Sequence, residues 1–318
     1  MKISLLEPLG ISKHLLDELS KSLIEEGHEF VYYETKTTDV EELAKRSVDS
    51  DIVIIANNPY PKEVIMQAEK LKMIAVAFTG IDHVDCEACK ERGIMVCNAS
   101  GYSTETVAEL VLAMAVDGLR NVTKGNELVR TGGTNTGIGG REICGRTVGI
   151  IGLGQIGLRC AKLFQAFGAN VIAYNRSQSE EAEAMGICYK TLEEVLENSD
   201  IISVNLPLNE ETRGFIGASE IAKMKSDAVF INCARGPIVD NEALAKALNE
   251  DELGFACVDV FDMEPPIPQD YPLLHAKNTL LTPHQAFISE EAMVRRANIV
   301  FQNVNVYIHG KPANVCRL

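Results

Sequence analysis

The chain has 318 residues, a length that suits two domains better than one. Thirty Lys and Arg against forty-five Asp and Glu give a formal net charge of −15, which excludes a broad basic surface for nucleic acid or anionic lipid. A hydrophobic content of 46% with 24% charged residues excludes wholesale disorder, and the longest run free of formal charge, Ala297 to Gly310, is too short and too polar to span a bilayer. In chain order, short apolar runs at Ile3–Leu6, Phe30–Tyr33, Asp51–Ala56, Met73–Ala77 and Ile94–Cys97 predict five strands. Amphipathic stretches lie between them, such as Ser12–Glu26, where Ser12 is the expected N-cap and Gly27 the stop. A long helix is predicted from about Ser103 to Arg130, apolar on more than one face through Val107–Val116 and therefore expected to be buried on several sides. The Gly-rich stretch Thr131–Gly140 reads as a surface loop. Six more strands follow at Thr147–Ile151, Asn170–Tyr174, Ile201–Asn205, Ala228–Asn232, Phe255–Val260 and Asn278–Leu281, then a last helix over Ser289–His309. Strands alternating with helices predict an α/β protein with doubly wound parallel sheets, the second series having the content of a dinucleotide-binding fold.

The first twenty residues carry Glu7, Asp17 and Glu18 and lack the apolar centre of a signal peptide, so a cytoplasmic protein is expected. Nine cysteines, an odd number spread through apolar segments, read as free packed thiols of a reducing compartment. His83, Cys86, Cys89 and Cys97 include a CxxC. Because Cys89 and Cys97 straddle a helix-to-strand turn at Gly93, packing is expected there and no metal.

Val148–Gly157 reads VGIIGLGQIG, a buried strand followed by Gly152-x-Gly154-x-x-Gly157 opening a helix at Gln155 and Ile156. In that context Gly152 permits a tight turn, Gly154 lets backbone amides approach a pyrophosphate, and Gly157 lets helix pack on strand. The helix start then offers unpaired N–H groups and a positive dipole end to phosphate. The next strand ends Tyr174-Asn175-Arg176-Ser177, with no acid where NAD-binding folds place one on the ribose hydroxyls. An acid repels a 2′-phosphate, whereas Arg176 and Ser177 can bond one, which favours NADP(H) and leaves NAD(H) possible. Further on, Arg235, Glu264 and His284 each follow an apolar run, at the carboxyl ends of strands where ligands bind in open α/β sheets. Each has an ordinary structural explanation alone. Together, at the edge that carries the nucleotide loop, they make a workable reductase site.

On the stretches NASGYSTETVAE, VGIIGLGQIG, VNLPLNEETRGFI, MKSDAVFINCARGPIVDNEAL, ACVDVFDMEP and TPH, the chain resembles the D-isomer-specific 2-hydroxyacid dehydrogenases along nearly its whole length. The resemblance implies two Rossmann-like lobes: a discontinuous substrate domain, residues 1–99 plus 290–318, with an inserted NAD(P)-binding domain, residues 100–289. It implies that Arg235 binds the substrate carboxylate and polarises the 2-keto oxygen, that His284 protonates that oxygen, and that Glu264 stabilises the imidazolium. Backbone amides at Thr79 and Gly80 resemble the loop that grips the carboxylate, and Phe78 stands where members often carry Gly. Asp259 resembles the residue that orients the nicotinamide carboxamide. Thr104, Leu206, Pro207, Thr212, Cys233 and Ala234 match positions lining the cofactor. Phe287 replaces a small residue common in several branches, and the sequence leaves open whether it and Phe78 flank a substrate or simply pack. The expected activity is hydride transfer between NAD(P)H and a small 2-keto acid, with glyoxylate and hydroxypyruvate foremost because GYST and YNRS resemble that branch. Lactate-like or aromatic substrates and 3-phosphoglycerate are the alternatives. Phosphoglycerate is disfavoured because Pro8–Gly10, Asn57–Tyr60, Phe78–Ile81, Gly101–Thr104 and Gln285–Ile288 hold no Lys or Arg, although Lys62 is close by in sequence, and because Leu318 is expected to leave no room for a regulatory domain. Formate dehydrogenases carry Gln where Glu264 stands, whereas phosphite oxidation keeps a similar triad. A corepressor-like, nicotinamide-sensing binding protein is the alternative of another class. The family also pairs helices such as Val107–Val116 across a two-fold axis, so a homodimer is expected.

Overall fold

In the computed structural model, which describes residues 1–318, the chain divides into two compact units, Met1–Ser103 with Ile288–Leu318, and Thr104–Phe287. The first unit runs β1 (Lys2–Leu5), α1 (Lys13–Glu25), β2 (Glu29–Tyr32), α2 (Val40–Ser47), β3 (Ile52–Ile55), α3 (Lys62–Gln67), β4 (Met73–Val76), α4 (Cys86–Arg92) and β5 (Met95–Asn98). Its five strands make a wholly parallel sheet in the order β2-β1-β3-β4-β5. β3 and β4 are buried along their whole length, as parallel strands covered on both faces are, and this is why they read as unbroken apolar runs. α1 starts where Ser12 Oγ accepts from Leu15 N at 3.2 Å, and the chain leaves it through Gly27 at φ 82°. The helix Glu290–Ile308 belongs to this unit, placing Ala297, Val300, Phe301 and Val304 in one core with Ile3, Leu5, Ile52 and Ile54. At the carboxyl edge of the sheet, Glu7 is only 2% exposed, and its Oε1 accepts from Ala56 N at 2.8 Å and Asn58 N at 2.9 Å. The segments after β1 and β3 are thereby tied together, because a buried carboxylate without such donors would be costly.

The second unit opens with α5 (Thr104–Arg120) and α6 (Val122–Arg130), followed by β6 (Thr147–Ile151), α7 (Gln155–Ala166), β7 (Asn170–Tyr174), α8 (Glu180–Ala184), β8 (Cys188–Tyr189) and α9 (Leu192–Asn198). It continues through β9 (Ile201–Val204), α10 (Ala218–Ile221), β10 (Val229–Asn232), α11 (Asn241–Asn249), β11 (Phe255–Val258) and β12 (Thr279–Leu281). The seven strands are ordered β12-β11-β10-β9-β6-β7-β8, all parallel. The order reverses at β6, so the crevice between the loops after β6 and β9 is the topological switch point of a doubly wound sheet.

One expectation is corrected, and one strand was missed. The single helix predicted from Ser103 to Arg130 is two helices, because Asn121 adopts a left-handed backbone at φ 54° and turns the chain. Val107, Val111, Met114 and Ala115 of α5 are absorbed by the core of their own unit, whereas α6 buries none of its side chains. The edge strand β8 was not anticipated, since its two residues are too few to show a period. No helix is long and apolar enough to cross a membrane.

Candidate active site

The loop after β6 is built around three glycines with three different duties. Gly152 sits at φ 93°, and a Cβ there would lie 2.7 Å from Asn205 O and 3.0 Å from Leu206 Cδ2. A Cβ on Gly157 would overlap Gly152 O, so only glycine lets α7 close onto β6. A Cβ on Gly154 would meet nothing within 4 Å, leaving open space at the N-cap of α7. This is the cradle a pyrophosphate requires: backbone N–H groups at a helix start with no side chain in front of them. The residues present therefore fit a dinucleotide. Thr104 and Gln155 line one cavity of about 240 Å³ together with Leu158, Arg159 and Lys162 and the acidic Glu105 and Glu181.

Other expected cofactor positions brace the neighbouring loops. Asn175 Oδ1 accepts from Leu153 N at 3.1 Å and its Nδ2 donates to Ser177 O at 2.7 Å, stitching the Gly-rich loop to the end of β7. Arg176 and Glu211 form an ion pair, each side chain 72% exposed. Thr212 Oγ1 donates to Pro207 O at 2.6 Å, shaping the turn after β9 that carries Leu206. Cys233 lies with its Sγ 3.5 Å from Met114 Sδ, and burial pushes its thiol well above the usual range, which makes it a packing group and not a nucleophile. Ala234 and Arg235 owe their placement to Asn232, which is 1% exposed; its Oδ1 accepts from Ala234 N and its Nδ2 donates to Arg235 O, both at 3.0 Å. Asn232 was missed in the sequence, where nothing but its place after FI in INCARG distinguishes it.

Arg235, Glu264 and His284 follow β10, β11 and β12, which are consecutive in the sheet. His284 Nδ1 lies 2.8 Å from Glu264 Oε1 and 2.9 Å from Oε2, with the imidazole 12% exposed and the carboxylate 59%. Arg235 is half-buried, with Nη1 donating to Ala234 O at 2.8 Å. The His284 backbone is left-handed at φ 52°, an unfavourable state for a residue with a side chain. Asp259 holds it there. Its carboxylate is fully buried and accepts from Thr282 Oγ1 at 2.5 Å, Gln285 N at 2.9 Å and Ala286 N at 2.8 Å, while its carbonyl accepts from His284 N at 2.8 Å. Burial pushes the Asp259 carboxyl above its usual range, opposed by those same hydrogen bonds, which favour the ionised form. Phe287 sets its ring edge-on to the His284 imidazole, centroids 5.3 Å apart.

In the first unit, Phe78 is 5% exposed and packs against Tyr102 and His83, with centroids 5.9 and 6.5 Å away. Thr79 O accepts from Asn98 Nδ2 at 2.7 Å. Lys36, remote in sequence, donates from Nζ to Asn57 Oδ1 at 2.8 Å, so the Asn57–Tyr60 segment has a cation beside it that inspection of the segment alone could not reveal. Cys89 and Cys97 are buried, and burial pushes their thiols up to about 12 and about 11. No group of three or more His, Cys, Asp or Glu side chains is arranged to hold a metal ion.

A switch-point glycine loop fitted for a pyrophosphate, on the same sheet edge as a His–Glu pair and an Arg, defines a nicotinamide-dependent oxidoreductase. Residues 112–286 match the family model described as D-isomer specific 2-hydroxyacid dehydrogenase, NAD binding domain. The chain is 34% identical over 322 residues to the hydroxypyruvate reductase of Blautia hydrogenotrophica, covering 99% of each. It is 38% identical over 277 residues to the D-3-phosphoglycerate dehydrogenase of Methanocaldococcus jannaschii; that match takes in 86% of this chain and only 52%, about half, of the relative. Among solved structures, an acyclic imino acid reductase in complex with NADPH and D-Arg matches with a TM-score of 0.89 at 30% identity over 100% of both chains. The chain belongs to the D-isomer specific 2-hydroxyacid dehydrogenase family.

Proposed function

We propose that this family member reduces a small 2-keto acid to the D-2-hydroxy acid, with hydroxypyruvate and glyoxylate as the first candidates and NADP(H) preferred to NAD(H). The observation that carries this reading is the His284–Glu264 pair at 2.8 Å, placed at strand ends beside that of Arg235. The bound cofactor supplies hydride to the keto carbon. Arg235 holds the carboxylate and polarises the 2-keto oxygen, for which its planar fork of donors is suited. His284 gives a proton to that oxygen through Nε2, the ring nitrogen opposite the one bonded to Glu264, and accepts it in the reverse reaction. Glu264 fixes the ring's orientation and stabilises the imidazolium. The test is a panel of 2-keto acids assayed with NADPH and NADH and scored by kcat/KM. Negligible turnover of every keto acid despite cofactor binding would return the chain to the binding-protein reading.

A second reading has its own support. In the first unit Lys36 Nζ donates to Asn57 Oδ1, a cation that favours a substrate with a distal anion such as the oxidised form of 3-phosphoglycerate, and the panel includes it. The family's pairing of helices, together with Val122 at 56% and Val129 at 72% exposure on α6, supports a homodimer joined through the α5–α6 region. Light scattering at micromolar concentration is expected to return twice the chain mass, and a monomer mass would exclude the assembly.

The cofactor preference rests on Arg176. Arg176→Ala is expected to lower kcat/KM for NADPH by about ten- to a hundredfold relative to NADH, since a hydrogen bond to a charged group contributes about 1.5–3 kcal/mol. Equal losses with both cofactors would mean that Arg176 does not read the 2′-phosphate.

A further inference from the structure

We infer that Glu211 sets the balance between NADPH and NADH by competing with the 2′-phosphate for Arg176. The inference rests on the reading of Arg176 as the phosphate contact and adds a second residue to it.

Arg176 follows β7 and Glu211 lies in the turn after β9, and these strands flank β6 on either side. The ion pair from Arg176 Nη1 to Glu211 Oε2 therefore joins the two loops that border the carboxyl end of β6, where the Gly-rich loop begins. A carboxylate thus holds the guanidinium that a 2′-phosphate would need. The pair itself is easily parted: both side chains are 72% exposed, and such pairs contribute little net stability. The backbone of Glu211 is held beside the site by hydrogen bonds within its turn, so a displaced carboxylate stays within a side chain's reach of Arg176. Glu211 N donates to Asn209 Oδ1 at 3.0 Å, Thr212 N donates to the same oxygen at 3.0 Å, and Thr212 Oγ1 donates to Pro207 O at 2.6 Å.

The consequences differ for the two cofactors. A 2′-phosphate takes Arg176 from Glu211 and then lies close to the displaced carboxylate, so NADPH binding carries both a lost pair and a like-charge repulsion. The 2′-hydroxyl of NADH is uncharged and meets neither penalty. Glu211 thereby narrows the preference that Arg176 alone would give, and the pair makes the site tolerant of both cofactors.

The test measures Kd for NADPH and for NADH without substrate, by the fluorescence of the bound nicotinamide, and kcat/KM for each, in the wild type, Glu211→Gln, Arg176→Ala and the double variant; the ratio of the two cofactors is read from both. Glu211→Gln is expected to raise the NADPH-to-NADH ratio by about three- to tenfold at low ionic strength. The gain should shrink in about 0.5 M salt, where exposed charges are screened. It should also be smaller in the Arg176→Ala background, where there is no guanidinium to compete for. An unchanged ratio in Glu211→Gln, with a lowered ratio in Arg176→Ala, would overturn the role of Glu211 and leave the Arg176 reading standing. An unchanged ratio in Arg176→Ala would remove the Arg176 reading, and this inference with it.

Discussion

Replacing His284 with alanine is expected to lower kcat for keto-acid reduction by about 10²–10⁴-fold, the usual contribution of a positioned general acid. No other proton donor follows β10, β11 or β12 in the corresponding place: Glu264 is committed to His284 Nδ1, and Asp259 is committed to Thr282, Gln285 and Ala286. Cofactor affinity should hold, because the Gly-rich loop lies after β6, away from the turn that carries His284. The backbone needs a control, since alanine at φ 52° is no more comfortable than histidine. His284→Asn provides it, because Asn tolerates the left-handed region and should preserve the turn while still lacking the acid. Steady-state kcat with the best keto acid, alongside thermal melts of both variants, decides the matter. A kcat within tenfold of wild type in either one would remove His284 from the proton transfer.

The Gly-rich loop gives the second large effect, and two of its glycines should fail in different ways. Gly157→Ala pushes a methyl into Gly152 O, so α7 must move off β6. Overpacking of this kind costs about 1–3 kcal/mol and should appear as a lower melting temperature together with weakened cofactor binding. Gly154→Ala adds a methyl into open space at φ −78°, a conformation any residue accepts. The melt should be unchanged or slightly improved while the dinucleotide Kd rises, because the methyl stands where backbone N–H groups must approach phosphate. Binding followed by nicotinamide fluorescence separates the two. A Gly154→Ala protein with wild-type Kd would show that the phosphates do not approach over that residue.

All strands but β8 were legible, most plainly where a parallel strand covered on both faces is a short unbroken apolar run, as IVII of β3 and MIAV of β4 are. The break at Asn121 was not, since the apolar pattern continues across it and nothing in a single Asn obliges a left-handed turn. Arg235, Glu264 and His284 stood out as polar residues placed just after such runs. What holds them in place did not. The three donors to the Asp259 carboxylate lie 23 to 27 residues away, and the Lys36–Asn57 contact joins positions 21 apart. Contacts of that span are set by how the loops pack, and no local period announces them. The resemblance assigns Asp259 to the cofactor; the structure adds that the same carboxylate holds the turn of His284, so its loss would disturb proton transfer through geometry.

The division of the chain also bears on how the protein is made. The second unit comes from one continuous stretch, Thr104–Phe287, and its whole core exists once that stretch has left the ribosome. The first unit is begun earliest and finished last. Ile3, Leu5, Ile52 and Ile54 wait for Ala297, Val300, Phe301 and Val304 until the final helix is synthesised. Nascent chains ordinarily fold from the amino terminus onward. Here part of the amino-terminal sheet's apolar face lacks its cover until Glu290–Ile308 is synthesised, because that helix shares its core.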